Sequence, residues 1–121
     1  LLSAAVLACL AEASPAQRQL VEVTLPDDRP LVRQLTAPPR EFVELCTRLK
    51  AGIVLDWEFE SVAPVAFNSH FHEGGAVKYP EGISAVTAAK GRLEPGASHD
   101  YCWLWSNPGT EPVTIRIRIT P

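Results

Sequence analysis

Val113-Thr114-Ile115-Arg116-Ile117-Arg118-Ile119 is the stretch that decides the fold. Four β-branched residues fall on one parity, and Thr114, Arg116 and Arg118 fall on the other. Successive side chains of a strand point to opposite faces, so this is a strand with one buried and one solvated face. The same alternation recurs upstream. Ile53, Leu55, Trp57 and Phe59 oppose Val54, Asp56, Glu58 and Glu60. Val65, Phe67, Ser69 and Phe71 oppose Ala66, Asn68, His70 and His72. Tyr101, Trp103 and Trp105 alternate with Cys102 and Leu104, while 21–25 and 83–89 give further strand candidates. Phe42, Leu45, Cys46 and Leu49 sit at helical spacing, but Val43, Leu45, Thr47 and Leu49 also alternate. The turn that follows at Lys50-Ala51-Gly52 favours a strand there as well.

Turn signals separate the runs at Pro26-Asp27-Asp28, Glu73-Gly74-Gly75, Pro80-Glu81-Gly82, Glu94-Pro95-Gly96 and Asn107-Pro108-Gly109. The proline-punctuated stretch 31–40 reads as a loop or edge strand. Many short strands at this spacing predict an all-β fold, an antiparallel two-sheet sandwich of jelly-roll type. The chain of 121 residues supports one domain, read as 14–121. Eleven prolines suit a turn-rich β-protein better than a helical one. With 11 Lys+Arg against 14 Asp+Glu the net charge is −3, which leaves no basic excess for a nucleic-acid partner.

Residues 1–13 read as a signal peptide. LLSAAVLACLA is an apolar h-region, too short to span a bilayer, and Ala11-Glu12-Ala13 supplies an A-x-A cleavage pattern. No initiator Met or basic n-region precedes it, so the leader reads as clipped at its start. Val6-Leu7-Ala8-Cys9 also loosely matches a bacterial lipobox, in which Cys9 carries a lipid anchor. Cys9 is otherwise one more small residue of the h-region. On either reading the domain is exported, to the periplasm or beyond. Cys46 and Cys102 are then an even pair in an oxidising compartment, 56 residues apart, and read as one disulfide. Free thiols or metal ligands are the competing reading.

Cys46, Gly52, Phe59 and the string Tyr101-Cys102-Trp103-Leu104-Trp105-Ser106-Asn107 together resemble the GOLD (Golgi dynamics) domain of emp24-type cargo receptors. The resemblance covers roughly 42–119. It implies a small β-sandwich in which a Cys46–Cys102 bridge ties the two sheets. Tyr101 and Cys102 are adjacent where the receptors space them. The receptors' coiled coil and membrane span have no counterpart in these 121 residues, so a cargo-receptor role does not carry over. Phe67-Asn68-Ser69-His70-Phe71-His72-Glu73-Gly74, taken with Tyr101-Cys102-Trp103-x-Trp105-x-Asn107, also resembles small exported bacterial proteins. That resemblance implies export and fold, and no activity.

His70-Phe71-His72 is the sharpest chemical feature. Residues two apart on a strand share a face about 6.6 Å apart, within reach of one copper or zinc ion. Glu73 is an expected oxygen ligand and His99 an expected third nitrogen. The alternative is a solvated polar face with hydrogen-bonded histidines. Tyr101, Trp103 and Trp105, with Asn68, form a candidate binding face if exposed, and the three aromatics form core if buried. Asp56, Glu58 and Glu60 make an acidic row that pairs with Arg116 and Arg118 if their strands are neighbours. Ser98-His99-Asp100 imitates a triad only in sequence, because adjacent strand side chains diverge. These features predict a non-enzymatic exported module that contacts a protein or envelope partner. The alternative is a periplasmic copper- or zinc-binding accessory protein.

Overall fold

The computed structural model describes residues 19–73 and 76–121, with the side chains of 78–81 excepted. The leader 1–13, its A-x-A site, Cys9 and the Gly74-Gly75 turn lie outside the described residues. The chain is all-β, with strands β1 (Leu20–Glu22), β2 (Leu31–Ala37), β3 (Phe42–Leu49), β4 (Leu55–Glu73), β5 (Ala76–Leu93), β6 (His99–Ser106) and β7 (Val113–Thr120). Among the described residues no helix is long and apolar enough to cross a membrane.

The expected two separate sheets are one curled sheet. Its strands run β1-β3-β6-β4-β7-β2, with β5 also on β4. The β1–β3 pair is parallel and the others are antiparallel. One edge of β4 carries β5 along its whole length. The other edge is shared: β7 pairs with 56–61, and β6 pairs with 66–71. The runs read from sequence as two strands are thus two halves of β4. The ladder shifts between Glu60 and Val65, where Pro64 has no N–H to give. A second shift follows between Val65 and Phe67, and Ala85 of β5, at φ 59°, lies between their partners Val86 and Ile83. The bend divides the sheet into layer A (β1, β3, β6, the C-terminal half of β4) and layer B (β2, β7, the N-terminal half of β4).

The turn expected at Pro80-Glu81-Gly82 is absent, because β5 runs through it. Proline is tolerated on an edge strand, where its missing N–H faces away from the ladder. Stretch 31–40 resolves into edge strand β2, which pairs with β7 from Leu31↔Ile119 to Ala37↔Val113.

The core lies between the layers. Val43, Leu45 and Leu49 of β3, Tyr101, Trp103 and Trp105 of β6 and Phe67 of β4 meet Trp57 and Phe59 of the other half of β4 and the isoleucines of β7. Phe59 meets Trp105 edge-on at 5.6 Å between ring centroids, a contact between the layers. Asn107 is buried just after β6 and pins the following loop. Its amide donates to the carbonyls of Ala37 (3.1 Å) and Glu111 (2.7 Å), and its Oδ1 accepts from the Gly109 N–H at 2.9 Å.

Cys46 and Cys102 are bonded, with Cα atoms 4.1 Å apart. They face each other in the β3–β6 register, so the bridge joins neighbouring strands of layer A. The resemblance placed the bridge between sheets. Strand parity forbids that: Leu45, Thr47, Tyr101 and Trp103 take the inward positions and leave both sulfurs on the outer face.

Candidate functional site

The outer face of layer A is set by that parity. Cys46 and Cys102 are opposed, and His70 lies opposite Cys102 on the next strand. One row along, Glu44 and Asn68 flank Leu104. His70 is buried, its side chain 7% exposed, against 20% for Glu44. His70 Nδ1 is 2.8 Å from Asn68 Oδ1, and in the tautomer that donates from Nδ1 this bond fixes the ring. Its Nε2 is 3.5 Å from Glu44 Oε2. The exposed His72 ring lies 5.4 Å from the His70 ring, edge to face.

Burial pushes the Glu44 carboxyl above its ordinary 4.5, and positive charge at His72 pulls it back. Burial pushes the His70 imidazole below 6.5, and His72 lowers it further. Desolvation therefore favours the uncharged form of each group, and their contact is not a strong ion pair. A groove of about 560 Å³ opens over the disulfide, lined by Leu20, Glu22, Glu44, Arg48, His72 and Asp100 among others.

The two other expected ligands lie elsewhere. Glu73 shares the inward parity of Phe71, opposite to His70 and His72. His99 shares the inward parity of Tyr101, and its ring stacks on Phe71 at 5.4 Å. Both line a different cleft of about 430 Å³ at one end of the layers. Strand alternation thus separates His99 and Glu73 from the His70–His72 pair. Ser98, His99 and Asp100 also diverge. Ser98 Oγ accepts from the Ala51 N–H at 3.3 Å, and Asp100 pairs with Arg48 at 3.6 Å.

Tyr101, Trp103 and Trp105 are core, so the expected aromatic binding face is corrected. Asn68 alone of that set is on the outer side, as support for His70. The Trp103 and Trp105 indole nitrogens have no hydrogen-bond partner among the described residues. The charged rows do neighbour each other, with Glu58 opposite Arg118 and Glu60 opposite Arg116 on the outer face of layer B. β5 adds Lys90 opposite Glu58 and Arg92 opposite Asp56, the latter paired at 3.1 Å. Alternating charge across three strands suits a solvated surface and is worth a few tenths of a kcal/mol per pair. A depression of about 540 Å³ on this face has no apolar floor beyond Val32, Phe59, Ala88 and Ala89.

A second surface lies in the loop after β3. Alternation puts Ile53 on one face with Leu55, Trp57 and Phe59, but β4 begins at Leu55. Ile53 and Val54 are 37% and 45% exposed in the loop after β3. Gly52 takes φ 88°, a left-handed turn that glycine adopts without strain. The Gly52 N–H donates to the Pro95 carbonyl at 3.1 Å, beside the Ala51–Ser98 bond. The loop is therefore pinned to the β5–β6 connection, and the two apolar side chains cannot fold back into the filled core. They line a depression of about 540 Å³ with Leu25, Pro26 and Pro121, rimmed by Asp27, Arg48 and Lys50.

No family model and no curated protein sequence matches this chain. Solved structures share its fold. A mitogen derived from Yersinia pseudotuberculosis aligns over 75% of this chain and 84% of its own, at 13% identity and a TM-score of 0.60. The pre-peptidase C-terminal domain of a Bacillus anthracis collagenase covers 84% and 94%, at 8% identity and 0.53. PliG of Aeromonas hydrophila, a periplasmic inhibitor of g-type lysozyme, covers 84% and 96%, at 12% identity and 0.52. At such identities the likeness is one of β-rich fold.

Proposed function

We propose that this chain is an exported, non-enzymatic β-sandwich module that binds a protein partner of the cell envelope or its surroundings. The observation that carries the reading is the pinned apolar pair Ile53–Val54 at one end of the layers. An apolar centre with a charged rim is the anatomy of a protein interface. A loop held in place before binding loses less entropy on docking. Binding residues commonly sit on loops carried by a rigid scaffold, as the ends of sandwiches do. Val62 is more exposed, at 75%, but stands outside this depression at the β4 bend.

Export is supported by the Cys46–Cys102 disulfide, since such bonds persist in oxidising compartments. It agrees with the leader reading of 1–13; the alternative is an exported lipoprotein anchored through Cys9. The non-enzymatic reading is supported by the dispersal of Ser98, His99 and Asp100. PliG, which inhibits g-type lysozyme, carries its role on the same kind of fold. The test is capture from the native exported fraction with Ile53→Ser/Val54→Ser against Val62→Ser. The reading expects partner capture to be lost in the first variant and kept in the second. Equal capture by both would overturn it.

A further inference from the structure

We propose that Glu44, His70 and His72 form a divalent metal site of the zinc class on the outer face of layer A, with Asn68 orienting His70. Four observations converge. First, His70 Nε2 and Glu44 Oε2 stand 3.5 Å apart. Two donors bound at 2.0–2.1 Å to one tetrahedral ion lie about 3.3 Å from each other, so the pair needs almost no movement to share an ion. Second, His72 is on the same strand face, its ring 5.4 Å from that of His70. It is exposed, so its rotamer is free to turn toward the shared point. Third, the far nitrogen of the His70 ring is held by Asn68 at 2.8 Å. A ligating histidine characteristically bonds an oxygen through its other nitrogen, which fixes ring and tautomer. Fourth, the site opens onto the groove of about 560 Å³, which leaves a coordination position for water or an incoming ligand.

Two imidazole nitrogens and one carboxylate oxygen suit zinc, with copper(II) as the competing borderline ion. The Cys102 sulfur also lies within 4.8 Å of ligand atoms of both histidines. It is bonded to Cys46, so it offers no thiolate and forms the floor of the site. The groove over the site and the Ile53–Val54 depression share only Thr24 and Arg48, neither of them a proposed ligand, so the two proposals stand or fall separately.

The test is zinc titration of the full chain with the disulfide verified intact by mass. Titration of Glu44→Gln, His72→Ala and His99→Ala follows, with circular dichroism confirming that each is folded. The proposal expects one ion per chain at micromolar metal. Affinity falls by about 10- to 100-fold in Glu44→Gln and in His72→Ala, and is unchanged in His99→Ala. Cobalt(II) substituted into the wild type gives visible bands of tetrahedral type, and these are lost in Glu44→Gln. Absence of zinc binding, binding indifferent to both Glu44→Gln and His72→Ala, or binding that appears only after reduction would each overturn it. The last outcome would assign the metal to Cys46 and Cys102 thiolates. Wild-type zinc affinity in Ile53→Ser/Val54→Ser is expected whether or not that loop docks a partner.

Discussion

The rings of Phe59 and Phe67 lie 4.8 Å apart, centroid to centroid, although the two residues stand at positions 59 and 67 of one strand. In a straight strand those residues would be about 26 Å apart. The contact measures how far β4 turns at its bulge, and Trp57 joins it at 5.1 Å from Phe67. Phe67→Ala removes the ring on which both halves of the strand close. It should cost about 3–5 kcal/mol in chemical denaturation, the range for large aromatic truncations in a core. A loss under about 1 kcal/mol would mean the two layers are not packed through this cluster.

The disulfide closes a loop of 56 residues that contains all of β4 and β5. Replacing both cysteines by serine frees that loop in the unfolded chain and should lower stability by about 4 kcal/mol in the chain-entropy model. Equilibrium denaturation of oxidised protein against Cys46→Ser/Cys102→Ser measures it. Equal midpoints would contradict the account.

Tyr101 is buried, and this together with the negative charge of Glu73 raises its phenol above the ordinary 10.0. Its hydroxyl donates to the Ala97 carbonyl at 3.2 Å. The native state therefore holds the neutral phenol longer than the unfolded chain does. This stabilisation is fully present below pH 10 and is lost as pH rises through the elevated native value. An ultraviolet titration of tyrosinate should show one late-ionising tyrosine, absent in Tyr101→Phe. A late phase that survives in Tyr101→Phe would refute the assignment.

Much of this architecture was legible in sequence because alternation is a local signal. Val113 to Ile119 reads the same in the chain and in the fold, and so do β3 and β6. The bend in β4 was not legible, because Glu60 and Val65 become parts of one strand only through β5, β6 and β7. Pro80 looked like a turn because nothing local says that β5 is an edge strand. Parity put His70 and His72 on one face, and the same parity applied to 99 and 73 puts His99 with Tyr101 and Glu73 with Phe71. Glu44 was missed because its nearness to His70 depends on both lying beside β6, a long-range fact. The one available clue was the disulfide: pairing Cys46 with Cys102 places Glu44 on the sulfurs' face.

Gly52 connects the fold to the Ile53–Val54 loop proposed to dock a partner. At φ 88°, Gly52→Ala meets no neighbouring atom but suffers left-handed strain, so it should cost about 1–2 kcal/mol. It should also weaken partner capture, because Ile53 and Val54 follow directly in the loop that this turn sets. Stability measured beside capture separates the two effects. Unchanged values of both would show that the turn does not hold the loop.

The proposed docking end is tested most directly by a photo-reactive side chain placed at position 54 and, separately, at position 62, in cells that export the protein. Illumination should yield one discrete adduct from position 54 and none from the more exposed position 62. Equal labelling at the two positions, or no adduct from position 54, would contradict a partner surface built on Ile53 and Val54.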